Sequence, residues 1–262
     1  MATGDLLTKK EGAVGWIIFN RPERHNAIST EMWAELPGIV DDYDADPEIR
    51  VMVVAGAGGR AFIAGADITQ FERNRATPED AARNMAIGDR GRACLGKAIK
   101  PTIAMIQGYC LGGGMAVALS CDMRIASDDS RFGVPAAKLG NPYGYAGAKL
   151  ICDRIGSAFG KEMLFTGRQF DAQQALRMGL VNAIVPAAEL EATVRSYTDD
   201  IAKNAPLTVA AAKLAFNAAE RDPSDRDLAA LELAAAKCIA SEDAKEGRRA
   251  FVEKRKPVFR GV

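Results

Sequence analysis

The sequence predicts an α/β fold closed by a helical C-terminal subdomain, and three observations carry that prediction. Short β-branched runs alternate with helical patterns through the first half of the chain. Two glycine clusters stand where such runs end. Beyond Gly140 the pattern turns almost wholly helical and rich in alanine. Strands separated by helices imply parallel pairing through right-handed crossovers.

Taken in order, residues 14–20 (VGWIIFN) form the first predicted strand. A helix over 29–44 follows, with Ser29 as its N-cap and Glu31 near the positive end of the dipole. Residues 51–56 (VMVVAG) read as a second buried strand. Thr77 then opens a long helix to about Ile99, with Pro78 at the first helical position. Residues 102–107 are a strand, followed by a turn, a short buried helix, and a strand over 123–127. Asp171 and Gln174 have capping-box spacing, and Gly179 suits the stop of that helix. Helices over 187–203, 207–221, 225–239 and 241–254 complete the chain. The expected organisation is a βα core over 1–190 and a helical region over 191–262.

Composition narrows the function. Lys+Arg and Asp+Glu both number 34 in 262 residues, so a zero net charge argues against a nucleic-acid binder. Five cysteines (Cys94, Cys110, Cys121, Cys152, Cys238) contain no CxxC pair, and His25 is the single histidine. No zinc pattern can be written from them, and a reducing, cytoplasmic setting is expected. The first ten residues hold no apolar stretch, so no secretory leader is expected. Residues 101–121 carry no charge and are long enough to span a bilayer. Gln107, Ser120 and the triplet Gly112-Gly113-Gly114 break that stretch into strand, turn and helix, so no membrane span is expected.

Several catalytic signatures fail. The run Gly156–Lys161 lacks P-loop spacing, Gly56–Gly59 does not open a helix, and no G-x-S-x-G elbow exists to partner His25. Two clusters survive: Ala61-Phe-Ile-Ala-Gly-Ala-Asp-Ile68 and Gly108-Tyr-Cys-Leu-Gly-Gly-Gly-Met-Ala116. Glycines at strand ends let a ligand approach the backbone, and free N–H groups at a helix start face developing negative charge. Two such sites can form an oxyanion hole from main chain alone. Tight strand-to-helix packing without a ligand explains the same glycines.

These two clusters, together with Asn20-Arg-Pro-Glu-Arg-His-Asn-Ala27, residues 168–185 and the ending Glu246–Lys256, resemble the enoyl-CoA hydratase/isomerase (crotonase) superfamily. The resemblance covers nearly the whole chain in order. It implies a crotonase-like ββα spiral core, a helical C-terminal region, and assembly as a homotrimer or dimer of trimers. It places the oxyanion hole at the backbone N–H groups of Ala66 and Gly113, binding the thioester oxygen of an acyl-CoA. Ala27, Ala64, Asp67 and Ile68 fall where the family contacts adenine and the pantetheine arm. Arg24 falls near the CoA phosphates, or is a solvated loop arginine. Phe251 and Lys254 match positions that reach a neighbouring subunit's CoA, or serve helix packing and surface charge. No metal or redox cofactor is implied; coenzyme A enters as part of the substrate.

The chain departs from the hydratase pattern at two positions. Where the family's hydratases carry one glutamate, two residues after the glycine triplet, this chain has Ala116. Where a second glutamate follows the proline of F-G-x-P-E, Phe132-Gly-Val-Pro-Ala136 ends in alanine. A positioned acid–base group contributes roughly 10²–10⁴-fold in rate, and alanine neither gives nor takes a proton. Enolate chemistry of a decarboxylase kind is therefore expected ahead of efficient hydration. Tyr143, in Leu139-Gly-Asn-Pro-Tyr143, resembles the active-site tyrosine of the methylmalonyl-CoA decarboxylase branch, although that branch keeps the glutamate replaced by Ala116. Tyr145 is a second candidate at the acyl end, and Lys138 and Asn141 either line that end or form its rim. Asp122 is expected to be structural, Asp67 to order its loop, Tyr109 and Cys110 to pack in the core, and His25 to stack or be solvated. A hydratase with a substitute acid–base group, a non-catalytic acyl-CoA binder and an RNA-binding relative are the competing readings.

Overall fold

The structure, a computed structural model, describes residues 4–70 and 76–262. Strands β1 (Leu6–Glu11) and β2 (Val14–Phe19) form an antiparallel hairpin, Leu6 opposite Phe19 and Glu11 opposite Val14. From β2 the first sheet runs parallel through β3 (Val51–Gly56), β5 (Thr102–Ile106), β7 (Met123–Ser127) and β10 (Ala183–Val185). A second sheet joins β4 (Ala61–Ile63), β6 (Tyr109–Leu111), β8 (Arg131–Gly133) and β9 (Phe170–Asp171) in that order. Its first three strands are parallel and β9 is antiparallel to β8. The chain thus visits the sheets alternately, with β3 feeding β4, β5 feeding β6 and β7 feeding β8. That alternation, punctuated by helices, is the spiral expected from the sequence.

The helices are α1 (Thr30–Ala45), α2 (Pro78–Lys97), α3 (Gly113–Ser120), α4 (Tyr145–Thr166), α5 (Ala172–Arg177), α6 (Leu190–Ala202), α7 (Pro206–Ala219), α8 (Leu228–Ala240) and α9 (Glu242–Val252). Their starts follow local chemistry. Ser29 Oγ accepts from Met32 N–H, and Thr77 Oγ1 accepts from Asp80 N–H with Pro78 at the first helical position. Asp171 and Gln174 form the reciprocal capping box.

The first sheet is covered on both faces. Ile17, Phe19, Met52, Val54 and Ala104 face the main core with α1 and α3. Trp16, Val51, Val53, Ile103 and Ile125 face Leu190 and Val194 of α6. Burial of both faces is why these strands read as continuous apolar runs. The six strands that went unpredicted lack that signal. Five of them are two or three residues long, and β1 is an edge strand whose Lys9 and Lys10 blunt further pairing.

Residues 101–121 divide among β5, β6 and α3, and no helix among the described residues is long and apolar enough to cross a membrane. Asp122 is structural. Its carboxylate accepts from Thr102 N–H at 2.7 Å and pairs with Lys213 of α7 at 2.8 Å. Lys213 is buried and also donates to Lys100 O at 2.9 Å, which fastens α7 to the end of α2 and the start of β5. Cys110 and Cys121 lie in the core, Cys94 and Cys238 are half-buried, and Cys152 is exposed. Tyr109 departs from its expected core position. It is 40% exposed on β6, with its ring edge-on to His25 at 6.3 Å.

Candidate active site

The two glycine clusters meet at the ends of β4 and β6. Ile28 N–H donates to Gly65 O at 2.9 Å and Asp67 N–H donates to Ile28 O at 2.8 Å, an isolated parallel bridge around Ala66. This leaves Ala66 N–H pointing away from the bridge, and among the described residues it has no acceptor. Gly113 N–H, at the first position of α3, has none either, as helix geometry dictates. The two are close, since a methyl added to Gly113 would stand 3.5 Å from Ala66 N. Gly65 at φ 129° and Gly112 at φ 50° adopt backbone that L side chains rarely reach, and both turns aim the free N–H groups.

Helix α3 is held at both ends. Gly114 packs against Ile63, where a methyl would come within 2.1 Å of Ile63 O. At the other end buried Arg124 donates to Cys121 O at 2.7 Å and to Ala118 O at 3.2 Å. A cation there satisfies the last carbonyls and complements the dipole.

Beside the paired N–H groups, the loops 24–28 and 64–68 run together as one ledge. Ala27 N–H donates to Arg24 O and Ala64 N–H donates to His25 O, each at 3.0 Å. His25 and Asn26 adopt positive φ (51° and 58°), which the fully buried Asn26 side chain sustains. Its carbonyl accepts from Arg21 N–H, and its amide donates to Ala57 O and Ala61 O. Arg21 donates to Ala27 O and to buried Asp67, and Arg24 reaches the same carboxylate at 3.3 Å. Arg24, Ala27, Ala64, Ala66, Asp67, Ile68 and Gly113 are thus brought together.

Burial alone would raise the Asp67 pKa. Hydrogen bonds from Thr69 and Arg21 overcome that and hold it at about 2. A lowered folded-state pKa contributes stability that is complete above the unfolded value near 4 and is lost as pH falls toward 2. Acid unfolding of Asp67→Asn is therefore expected to show a shallower loss of stability between about pH 4 and pH 2 than the parent. Urea midpoints across that range measure it, and parallel profiles would refute the assignment.

The segments where the sequence resemblance places the acyl end are α3, the turn after β8 and the start of α4. Ala116 and Ala136 are half-buried there, so neither position offers a carboxylate. Tyr143 is half-buried against the core, and a methyl on Gly147 would lie 3.2 Å from its hydroxyl. Burial pushes its pKa up, partly countered by the Arg92 charge. Tyr145 opens α4 and is 77% exposed, and Lys138 is exposed with its stem over Gly167. Phe251, 86% exposed, and Lys254 lie at the end of α9, which packs against α8. Sequence reasoning missed Arg21, Asn26 and Arg124, buried polar side chains whose partners include residues distant in the chain.

The sequence model of the family described as enoyl-CoA hydratase/isomerase matches residues 9–262. The chain belongs to that family. This enoyl-CoA hydratase/isomerase family member is 34% identical to the short-chain-enoyl-CoA hydratase of Clostridium acetobutylicum, over 98% of this chain and 97% of the relative. It is 38% identical to the carnitinyl-CoA dehydratase of Proteus mirabilis, over 95% and 96%. Among solved structures, an enoyl-CoA hydratase/carnithine racemase from Magnetospirillum magneticum superposes with TM-score 0.94 at 34% identity. That match covers 100% of this chain and 97% of the other. The crotonase-type fold expected from the sequence is thereby established for this family member.

Proposed function

We propose that this family member acts on an acyl-CoA thioester through an enolate, with the thioester oxygen bound between Ala66 N–H and Gly113 N–H. The carrying observation is that these two donors converge with no acceptor among the described residues. The ledge of Arg24, Ala27, Ala64, Asp67 and Ile68 takes the nucleotide and pantetheine parts. Phe251 and Lys254 cover the CoA of a neighbouring copy in a trimer or dimer of trimers. The chemistry asks for no metal or redox cofactor.

The favoured reaction is decarboxylation of an acyl group with a carboxylate on Cα. The bond from Cα to the carboxylate breaks, CO₂ leaves, and the electron pair enters the enolate held by the two N–H groups. No base is needed for that step, which suits a site with Ala116 and Ala136 in place of acids. Tyr143 then gives its proton to Cα and recovers one from water. Tyr143→Phe is expected to lower decarboxylation about 10²-fold or more, the loss of the acid that protonates Cα. An unchanged rate would remove Tyr143 from the reaction.

The names of the relatives favour a second reading, hydration through a substitute acid–base group. Mass spectrometry of saturated, enoyl and malonyl-type CoA thioesters in heavy water separates the two. Loss of CO₂ supports decarboxylation; gain of one water by an enoyl-CoA supports hydration. Binding without deuterium at Cα on any thioester would make the protein a non-catalytic acyl-CoA binder and overturn both.

A further inference from the structure

Arg124 lies in β7 and is 5% exposed. Its backbone is pinned by Asn182, whose Oδ1 accepts from Arg124 N–H and whose N–H donates to Arg124 O, each at 2.8 Å. The guanidinium is directed to backbone carbonyls. Nε donates to Leu180 O at 2.7 Å, and Nη1 donates to Cys121 O at 2.7 Å and Ala118 O at 3.2 Å. The last two carbonyls close the C-terminal end of α3. Among the described residues no carboxylate pairs with this cation.

The charges around it have partners of their own. Asp122 accepts from Thr102 N–H and pairs with Lys213, and Arg154 pairs with Glu220. The C-terminal end of α3 therefore faces two buried cations, Arg124 and Lys213, against the single carboxylate of Asp122. Burying an ion without a counter-ion is costly, and a neutral amide could satisfy the same carbonyls. Capping alone leaves the choice of a charge unexplained.

Helix α3 links that charge to the paired N–H groups. Its eight residues span about 12 Å. Met115, Val117, Ala118 and Leu119 along it are buried, which limits screening between its two ends. A cation at the carbonyl end offsets the negative pole of the dipole and leaves the positive pole facing Gly113 N–H. We propose that Arg124 is a positioning residue for the oxyanion site, its charge strengthening Gly113 N–H as a donor to developing negative charge. The inference rests on the acyl-CoA reading above and adds a group that never touches the substrate. A unit charge roughly 12–15 Å away, at an effective dielectric of about 20, changes a rate about five- to tenfold.

The test is infrared difference spectroscopy of the full chain with butyryl-CoA labelled with ¹³C at the thioester carbonyl. Cα deuterium exchange is measured alongside. A hydrogen bond and a positive field both weaken the carbonyl bond, so the bound band lies below the free one. In Arg124→Gln, which keeps donors and loses the charge, that downshift is expected to shrink. Exchange at saturating thioester slows about five- to tenfold, with KM close to the parental value. Arg124→Lys keeps the charge and restores most of both. Asp122→Asn removes a negative charge from the same end of α3 and is expected to enlarge the downshift, whereas mere loosening of the helix would shrink it. Near-ultraviolet circular dichroism checks the packing of each variant. If Arg124→Gln does not fold, the sign of the Asp122→Asn change decides. A downshift unaltered in Arg124→Gln, or reduced equally in Arg124→Lys, overturns this proposal and leaves the acyl-CoA reading standing. A smaller downshift in Asp122→Asn does the same. A parent protein that fails to bind butyryl-CoA, or binds it with no downshift, overturns both.

Discussion

Gly113→Pro is expected to cut turnover roughly 10²–10³-fold on whichever thioester the protein processes, the usual loss for one oxyanion donor. The substitution removes the N–H group and sets the ring Cδ where that N–H pointed. Gly113 is the first residue of α3, a position where proline's fixed φ fits and the missing N–H breaks no helical bond. Added carbon at Gly113 meets Gly65 C at 3.3 Å and Ala66 N at 3.5 Å, so small local shifts accommodate it. The control is Gly113→Ala, which adds the Cβ alone and keeps the donor. If the two variants lose activity equally, crowding is the cause and the N–H is not a catalytic group. Deuterium exchange at Cα is the more direct readout, because it reports the enolate whatever product follows.

Gly114→Ala carries the largest expected effect on stability. A methyl there would approach Ile63 O to 2.1 Å, and Ile63 C and Cβ each to 2.9 Å. Two of those three atoms are backbone in a buried strand, so no side-chain rotation relieves the overlap and α3 must move away from β4. Overpacking of this kind costs about 1–3 kcal/mol when side chains can adjust, and backbone contact puts this case at the upper end. The urea midpoint is expected to fall accordingly. Because the same displacement separates Gly113 from Ala66, any folded fraction should also lose Cα exchange. A variant with parental stability would mean that α3 and β4 are not packed as described.

This close approach clarifies how much the sequence disclosed. Glycines at residues 65 and 112–114 marked where backbone comes near backbone, and the meeting of the two clusters was legible for that reason, while the assignment of Ala66 and Gly113 as donors came from the family resemblance. The long strands were equally legible, since burial of both sheet faces writes an apolar run into 51–56 and 102–107. The second sheet was not, because three-residue strands such as β4 and β6 cannot display a period, and their pairing is decided by the first sheet's connections. Buried charges were the other gap. Lys213, Arg124 and Arg21 each answer a partner far away in the chain, so no local pattern announces them. Tyr109 reads as core from its apolar neighbours, but strand alternation turns it outward while Cys110 turns in.

The placement of the cysteines has a practical consequence. Cys110 and Cys121 are buried, and desolvation pushes both thiols up, Cys121 to about 12. The thiolate is the form that alkylating reagents attack, so in the folded protein these two are doubly protected. Cys152 on the outer surface of α4 has no such shield. Brief treatment with a maleimide is therefore expected to tag exposed Cys152 first, while the slow appearance of modified Cys110 and Cys121 marks opening of the interior. The chain carries its own gauge of unfolding, readable by counting labels in a mass spectrum.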